Sequence, residues 1–259
     1  MLAALVAALS SVATSLEPVE FGKNASTGYI VGKQGSPAVI VIHDWWGVTE
    51  NTNEHARKIS ASFGGARVLV PDLFNGRFNV NQTESFGIMR SQESIALIAD
   101  AAAFLKAEGS PKVGVVGFSM GGALALCSAA ASADLDCAAT FYGVNFKLCE
   151  PHPLATKPVQ GHFGSIDKME GFSDVEASEK LVNALKSLGN DDAISHIYEG
   201  AGHSFMDIHP DPFETFAERE QKMGYVFGPY NPAHTMLAWP RLMSFLSTHL
   251  EADKVKEEL

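Results

Sequence analysis

The chain has 259 residues, of which 46% are hydrophobic and 19% charged. It is long enough to bury a large core as one domain or two, and too apolar for disorder to be its main state. Nineteen Lys and Arg against 30 Asp and Glu leave a net charge of −11, which repels phosphate backbones and argues against nucleic-acid binding.

At the N-terminus, Leu2 to Leu9 form a short apolar stretch followed by small residues. Residues 1–16 read as a targeting segment or a frayed helix, and residues 17–259 as one domain. The C-terminal Lys256-Glu257-Glu258-Leu259 is one substitution from an endoplasmic-reticulum retention signal. A cytoplasmic protein is expected, with the secretory pathway or an organelle as the alternative. No apolar run reaches the ~20 residues of a bilayer crossing, so stable membrane insertion is not expected.

In chain order, Ala38–Ile42 is a continuous β-branched run, as in a strand buried on both faces. Arg67–Pro71, Lys112–Val116, Cys137–Tyr142, Pro158–Phe163 and Ala193–Tyr198 read the same way. Helices lie between them. Ile95, Ile98, Ala102 and Leu105 recur at helical spacing, with Gly109 as a stop. Ser173-Asp-Val-Glu176 fits a capping box for a helix carrying Leu181, Leu185 and Leu188. Met236, Trp239, Met243, Leu246 and Leu250 mark a last helix, in which Pro240 should cause a kink. Alternating strands and helices predict an α/β fold with a mostly parallel sheet covered on both faces. Cys127, Cys137 and Cys149 lack the spacing of a disulfide framework or a metal site and are expected to be small core residues.

Gly117-Phe118-Ser119-Met120-Gly121 follows one of these strands and precedes a helix of small residues. That context fits a strand–turn–helix elbow that lifts a serine hydroxyl above a sheet. A serine hydroxyl is a weak nucleophile and needs a base, itself oriented by an acid. In this arrangement the acid and then the base follow on loops after later strands. Asp167 and His203 occupy those places. His55, His196 and His249 fall inside predicted elements, His162 lies within a strand, and His209 lies well past a strand end. Asp174 is better explained as part of a helix start. His43-Asp44-Trp45-Trp46-Gly47 follows the first buried strand, and the Trp45 N–H is the candidate to share an oxyanion with that of Met120. Asp44 would then lie near Ser119.

The ordered set Val39–Gly47, Val70-Pro71-Asp72-Leu73, Gly117–Gly122, Gly161–Asp167 and Gly202-His203-Ser-Phe205 resembles the dienelactone hydrolase family of α/β hydrolases, from about Val19 to Leu250. The resemblance implies hydrolysis of a small ester or lactone without metal or organic cofactor. Two features depart from it. The best-known members carry cysteine where Ser119 stands, beside an acidic residue at the place of Asp44. The family's archetype also carries a carboxylate-gripping arginine shortly after the histidine, where this chain has Asp207. A neutral or weakly polar acyl substrate is therefore expected, with Asp44 in a supporting role. Six aromatics between Phe205 and Tyr230 suggest either a lid or pocket wall, or ordinary loop packing. The alternatives to ester hydrolysis are a thioesterase, acyltransferase or peptidase with the same three residues, or a non-catalytic binder.

Overall fold

The computed structural model describes residues 15–62, 65–78 and 81–251. The two terminal signals of the sequence lie largely or wholly outside this range. Eight strands form one sheet: β1 (Glu17–Phe21), β2 (Ser26–Val31), β3 (Ala38–Ile42), β4 (Arg67–Pro71), β5 (Val113–Phe118), β6 (Cys137–Phe141), β7 (Val159–Gly164) and β8 (Ile194–Tyr198). Their spatial order is β1-β2-β4-β3-β5-β6-β7-β8. The β1–β2 and β2–β4 pairs are antiparallel. Every pair from β4 to β8 is parallel. The helices are α1 (Glu50–Ser62), α2 (Gln82–Met89), α3 (Gln92–Ala107), α4 (Met120–Ala131), α5 (Val175–Ser187), α6 (Phe216–Phe227) and α7 (Pro232–Leu250).

The apolar run of β3 now has a cause. Ala38, Ile40 and Ile42 face a core shared with α3, α4 and α5, whereas Val39 and Val41 face a second core shared with α1 and α7. Strand side chains alternate between faces, so a strand covered on both sides must be apolar at every position. Burying each such side chain contributes roughly 1.5–3 kcal/mol. The outer strand β8 is different. Ile194 and Ile197 are exposed, as suits an edge, and the buried strand expected there is corrected to an edge strand.

Three further details differ from expectation. The N-cap of α5 is Asp174, whose carboxylate accepts from the Ala177 N–H at 2.9 Å, so the proposed capping box of Ser173 does not form. Met236, expected on the packed face of α7, is 75% exposed. Cys127 and Cys149 form a disulfide, with Cα atoms 5.4 Å apart, while Cys137 is free and buried. Spacing could not reveal this bridge, because its partners meet through the packing of α4 against the loop after β6.

The sheet topology also places the site. After β3 the chain moves to β4 on one side, then crosses to β5 on the other. Ligands in open α/β sheets bind at such a switch point, beyond the carboxyl ends of the strands. The loop after β3 and the turn after β5 meet there.

Candidate active site

Ser119 joins β5 to α4 with φ 53° and ψ −116°, a conformation that costs a non-glycine residue on the order of 1–3 kcal/mol. The surroundings enforce it. The Ser119 N–H donates to the Phe141 carbonyl at 2.9 Å, and the Gly122 N–H donates to the Ser119 carbonyl at 2.9 Å. A Cβ on Gly117 would lie 1.9 Å from the Gly121 carbonyl oxygen, and one on Gly121 would lie 2.4 Å from the His43 carbonyl oxygen. Glycine at both places is therefore a packing requirement of the turn.

The structure brings Ser119, His203 and Asp167 together. The Ser119 hydroxyl lies 2.8 Å from His203 Nε2, and His203 Nδ1 lies 2.7 Å from Asp167 Oδ2. A carboxylate only accepts, so Nδ1 carries the ring proton and Nε2 is free to accept from the serine. Asp167 is fixed in turn, since its Oδ1 accepts from the Met169 N–H at 3.1 Å. His203 is held by its backbone, which donates to the Val226 carbonyl in α6 at 3.3 Å. All three side chains are buried. Sequence reasoning missed a fourth member. Ser173 Oγ lies 3.1 Å from His203 Nδ1 and shares its proton with Asp167. Only the neighbouring cap at Asp174 was visible in the pattern.

His43, His55 and His162 are engaged elsewhere. His162 bonds to Tyr198 and Gln160 and stacks on Phe141, and His55 stacks on Phe118. His43 pins the loop after β3: its Nδ1 bonds to the Asp44 carbonyl at 2.6 Å, and its Nε2 accepts from the Leu73 N–H at 3.2 Å. The Asp44 carboxyl accepts from the Trp46 N–H at 2.8 Å. Trp45 and Met120 line a small cavity of about 20 Å³ beside Ser119. Met120 opens α4, where a backbone N–H has no partner within the helix.

Behind Ser119 and His203 lies a buried polar cluster. Asp207 is ion-paired to Arg219 of α6 at 2.8 Å, with both side chains at most 5% exposed. The sequence offered no matched arginine close to His203; this one arrives from a helix and is occupied by Asp207. Burial pushes the Asp207 carboxyl up to about 6, outweighing the adjacent guanidinium. Burial, then repulsion from Asp207, holds the Asp44 carboxyl well above the usual carboxylate range, against the Trp46 N–H and Arg219. One guanidinium thus serves two buried acids. Tyr142 completes the cluster. Its ring meets His203 edge-on at 5.0 Å, and its buried hydroxyl has no hydrogen-bond partner among the described residues.

The aromatic segment after His203 packs on this same side. Phe227 stacks over His203 at 6.2 Å, Phe216 stacks on Tyr230 at 3.8 Å, and Phe205 is buried among Phe141, Tyr142 and Tyr198. The cavity at Ser119 is instead walled by Trp45, Ser85, Phe86, Met120, Met169 and Phe172. Within residues 205–230, Phe227 thus packs against His203, while Phe213 meets Trp46 edge-on at 6.1 Å. Among the described residues no group of three or more His, Cys, Asp or Glu could hold a metal ion, and no helix is long and apolar enough to cross a membrane.

A mostly parallel eight-stranded sheet, covered on both faces and carrying a serine elbow at its switch point, is the α/β-hydrolase fold. The family model that matches, over residues 27–250, is that of the dienelactone hydrolase family. Protein usf of Aquifex pyrophilus is 28% identical over 253 residues, covering 90% of this chain and 98% of the relative. A protein of Aquifex aeolicus (strain VF5) with a carboxymethylenebutenolidase designation is 26% identical over 249 residues, with the same coverage. Among solved structures, the dienelactone hydrolase-like promiscuous phosphotriesterase P91 from metagenomic libraries superposes with a TM-score of 0.69 at 19% identity, covering 92% of this chain and 99% of that one. The chain belongs to the dienelactone hydrolase family. It is a hydrolase of carboxylic esters or lactones.

Proposed function

We propose that the protein cleaves a small ester or lactone through an acyl-enzyme on Ser119. The Ser119 hydroxyl proton passes to His203 Nε2 as Oγ bonds to the substrate carbonyl carbon. Asp167 stabilises the imidazolium through Nδ1–H, and Ser173 shares that hydrogen bond. The carbonyl oxygen, now negative, is held by the N–H groups of Met120 and Trp45. Collapse breaks the bond to the alkoxy oxygen, which takes the proton from Nε2; in a lactone that alcohol stays tethered to the acyl group. A water then gives its proton to Nε2 and attacks the acyl carbon. Ser119 leaves and recovers the proton.

The observation that carries this reading is the pair of contacts at His203, 2.8 Å to Ser119 and 2.7 Å to Asp167. Asp44 takes no proton from Ser119 in this scheme. It is a positioning residue, whose carboxyl holds the Trp46 N–H and so the turn that presents Trp45. A fluorophosphonate probe should label the folded protein stoichiometrically at Ser119, and Ser119→Ala should abolish both labelling and turnover of p-nitrophenyl acetate. Labelling at another residue, or turnover that survives in the variant, overturns the assignment.

A further inference from the structure

The small cavity at Ser119 shares a wall with a larger space. A chamber of about 610 Å³ shares Phe86, Met169 and Phe172 with it. The chamber's remaining apolar wall includes Met89, Val144 and Phe146. Such a volume matches the cavities that enclose drug-sized ligands, and is far more than a lactone ring or an acetyl group needs.

Its charge is uneven. Arg90, Lys147 and Lys180 line the chamber against a single acid, Glu170. Lys180 is already paired with Glu176 at 2.7 Å. Arg90 and Lys147 have no carboxylate partner among the described residues. Those two are exposed and also line a neighbouring cavity of about 450 Å³. The Arg90 guanidinium lies over the Phe86 ring, 5.7 Å from its centre. Phe86 therefore lines both cavities and carries a cation over its ring. Apolar side chains common to both cavities thus lie between Ser119 and two cations that have no carboxylate partner among the described residues.

We infer that the chamber is a subsite for one arm of the substrate, a flexible apolar chain ending in an anionic group that Arg90 and Lys147 bind. The inference rests on ester hydrolysis at Ser119. It also refines the expectation of a neutral substrate, which concerned the reacting centre. The anion bound here sits at the far end of the arm, away from the buried acids Asp44 and Asp207. The loop bearing Val144 to Lys147 is tied to α4 by the Cys127–Cys149 disulfide, which fixes this wall relative to Ser119.

The test compares matched esters. One series is p-nitrophenyl half-esters of dicarboxylic acids from succinate to dodecanedioate; the other is the methyl-ended p-nitrophenyl esters of equal length. A parallel pair places the carboxylate on the alcohol side, as acetyl esters of ω-hydroxy acids and of the matching alkanols. At the length that reaches Arg90, the carboxylate-ended ester of one series should show a KM roughly ten-fold below its methyl-ended match. That preference should shrink as salt rises. It should disappear in the Arg90→Ala/Lys147→Ala double variant. It should reverse in Arg90→Glu/Lys147→Glu, which should favour ω-ammonium esters. A wild-type protein that never prefers the carboxylate at any length, or a preference that survives in the double variant, overturns the subsite. Hydrolysis of p-nitrophenyl acetate by the wild type keeps the two levels apart. Its absence refutes the ester-hydrolase reading itself, whereas its presence without length or charge preference refutes only the subsite.

Discussion

Two sides of Ser119 are built on opposite plans. On one side Asp44, Asp207, Arg219, Tyr142 and His203 are packed into a buried polar cluster. On the other, Phe86, Met169 and Phe172 wall an open apolar space whose charged lining residues are all exposed. The filled side holds groups whose electrostatics need low dielectric and fixed geometry. The open side leaves room, and polar groups within it would have to be desolvated by every substrate. The contrast teaches that chemistry and recognition are separable in this molecule, and each can be attacked without the other.

The largest effect is expected on the filled side at the reacting groups. Ser119→Ala or His203→Ala should lower kcat on the order of 10⁶-fold, and Asp167→Asn on the order of 10⁴-fold. Circular dichroism should remain native. A loss no greater than ten-fold for His203→Ala would place the base elsewhere.

Next in size is the ion pair behind the histidine. Arg219→Met leaves Asp207 buried without its cation and should cost about 3–5 kcal/mol at neutral pH, read by urea unfolding. Arg219→Met/Asp207→Leu should recover most of that loss. If the single variant is as stable as the parent, the pair contributes nothing and α6 is held by its aromatic contacts alone.

A smaller effect, on the order of 1–3 kcal/mol, should appear as pH changes. The folded protein holds the Asp207 proton up to about 6, against an ordinary value of 3.8, so it binds that proton more tightly than the unfolded chain does. The resulting stability is complete below about pH 4 and fades as pH rises through 6. Asp44 is shifted in the same direction. Asp44→Asn should therefore match the parent at pH 4 and become progressively more stable than it toward pH 7. A constant offset at every pH would show that Asp44 keeps an ordinary carboxylate in the fold.

The same contrast explains what the sequence could reveal. The parallel sheet was legible because β3 and β5 are apolar throughout and β4 is apolar after Arg67, a signature of burial on both faces. Ser119, Asp167 and His203 were legible because each follows a strand in a fixed order. Ser173 and Arg219 were not, because they reach His203 and Asp207 from just before one helix and from the first turn of a later one, and no local pattern encodes such convergence. The disulfide was hidden for the same reason. Cys127 and Cys149 are 22 residues apart, a spacing that means nothing until α4 and the loop after β6 are packed together. The chamber was hidden too, since its walls come from four separated segments and an empty volume leaves no trace in the residue order.

The left-handed backbone of Ser119 carries a consequence for heredity. A glycine there would adopt φ 53° without the penalty a side chain meets. Ser119→Gly should therefore unfold at higher temperature than Ser119→Ala, by roughly 1 kcal/mol of stability, while both are inert. Mutation that selects only for a sturdy fold would drift away from serine at this position. An active copy can persist only where the reaction itself is under selection, so the residue found at this turn records whether a lineage still uses the enzyme.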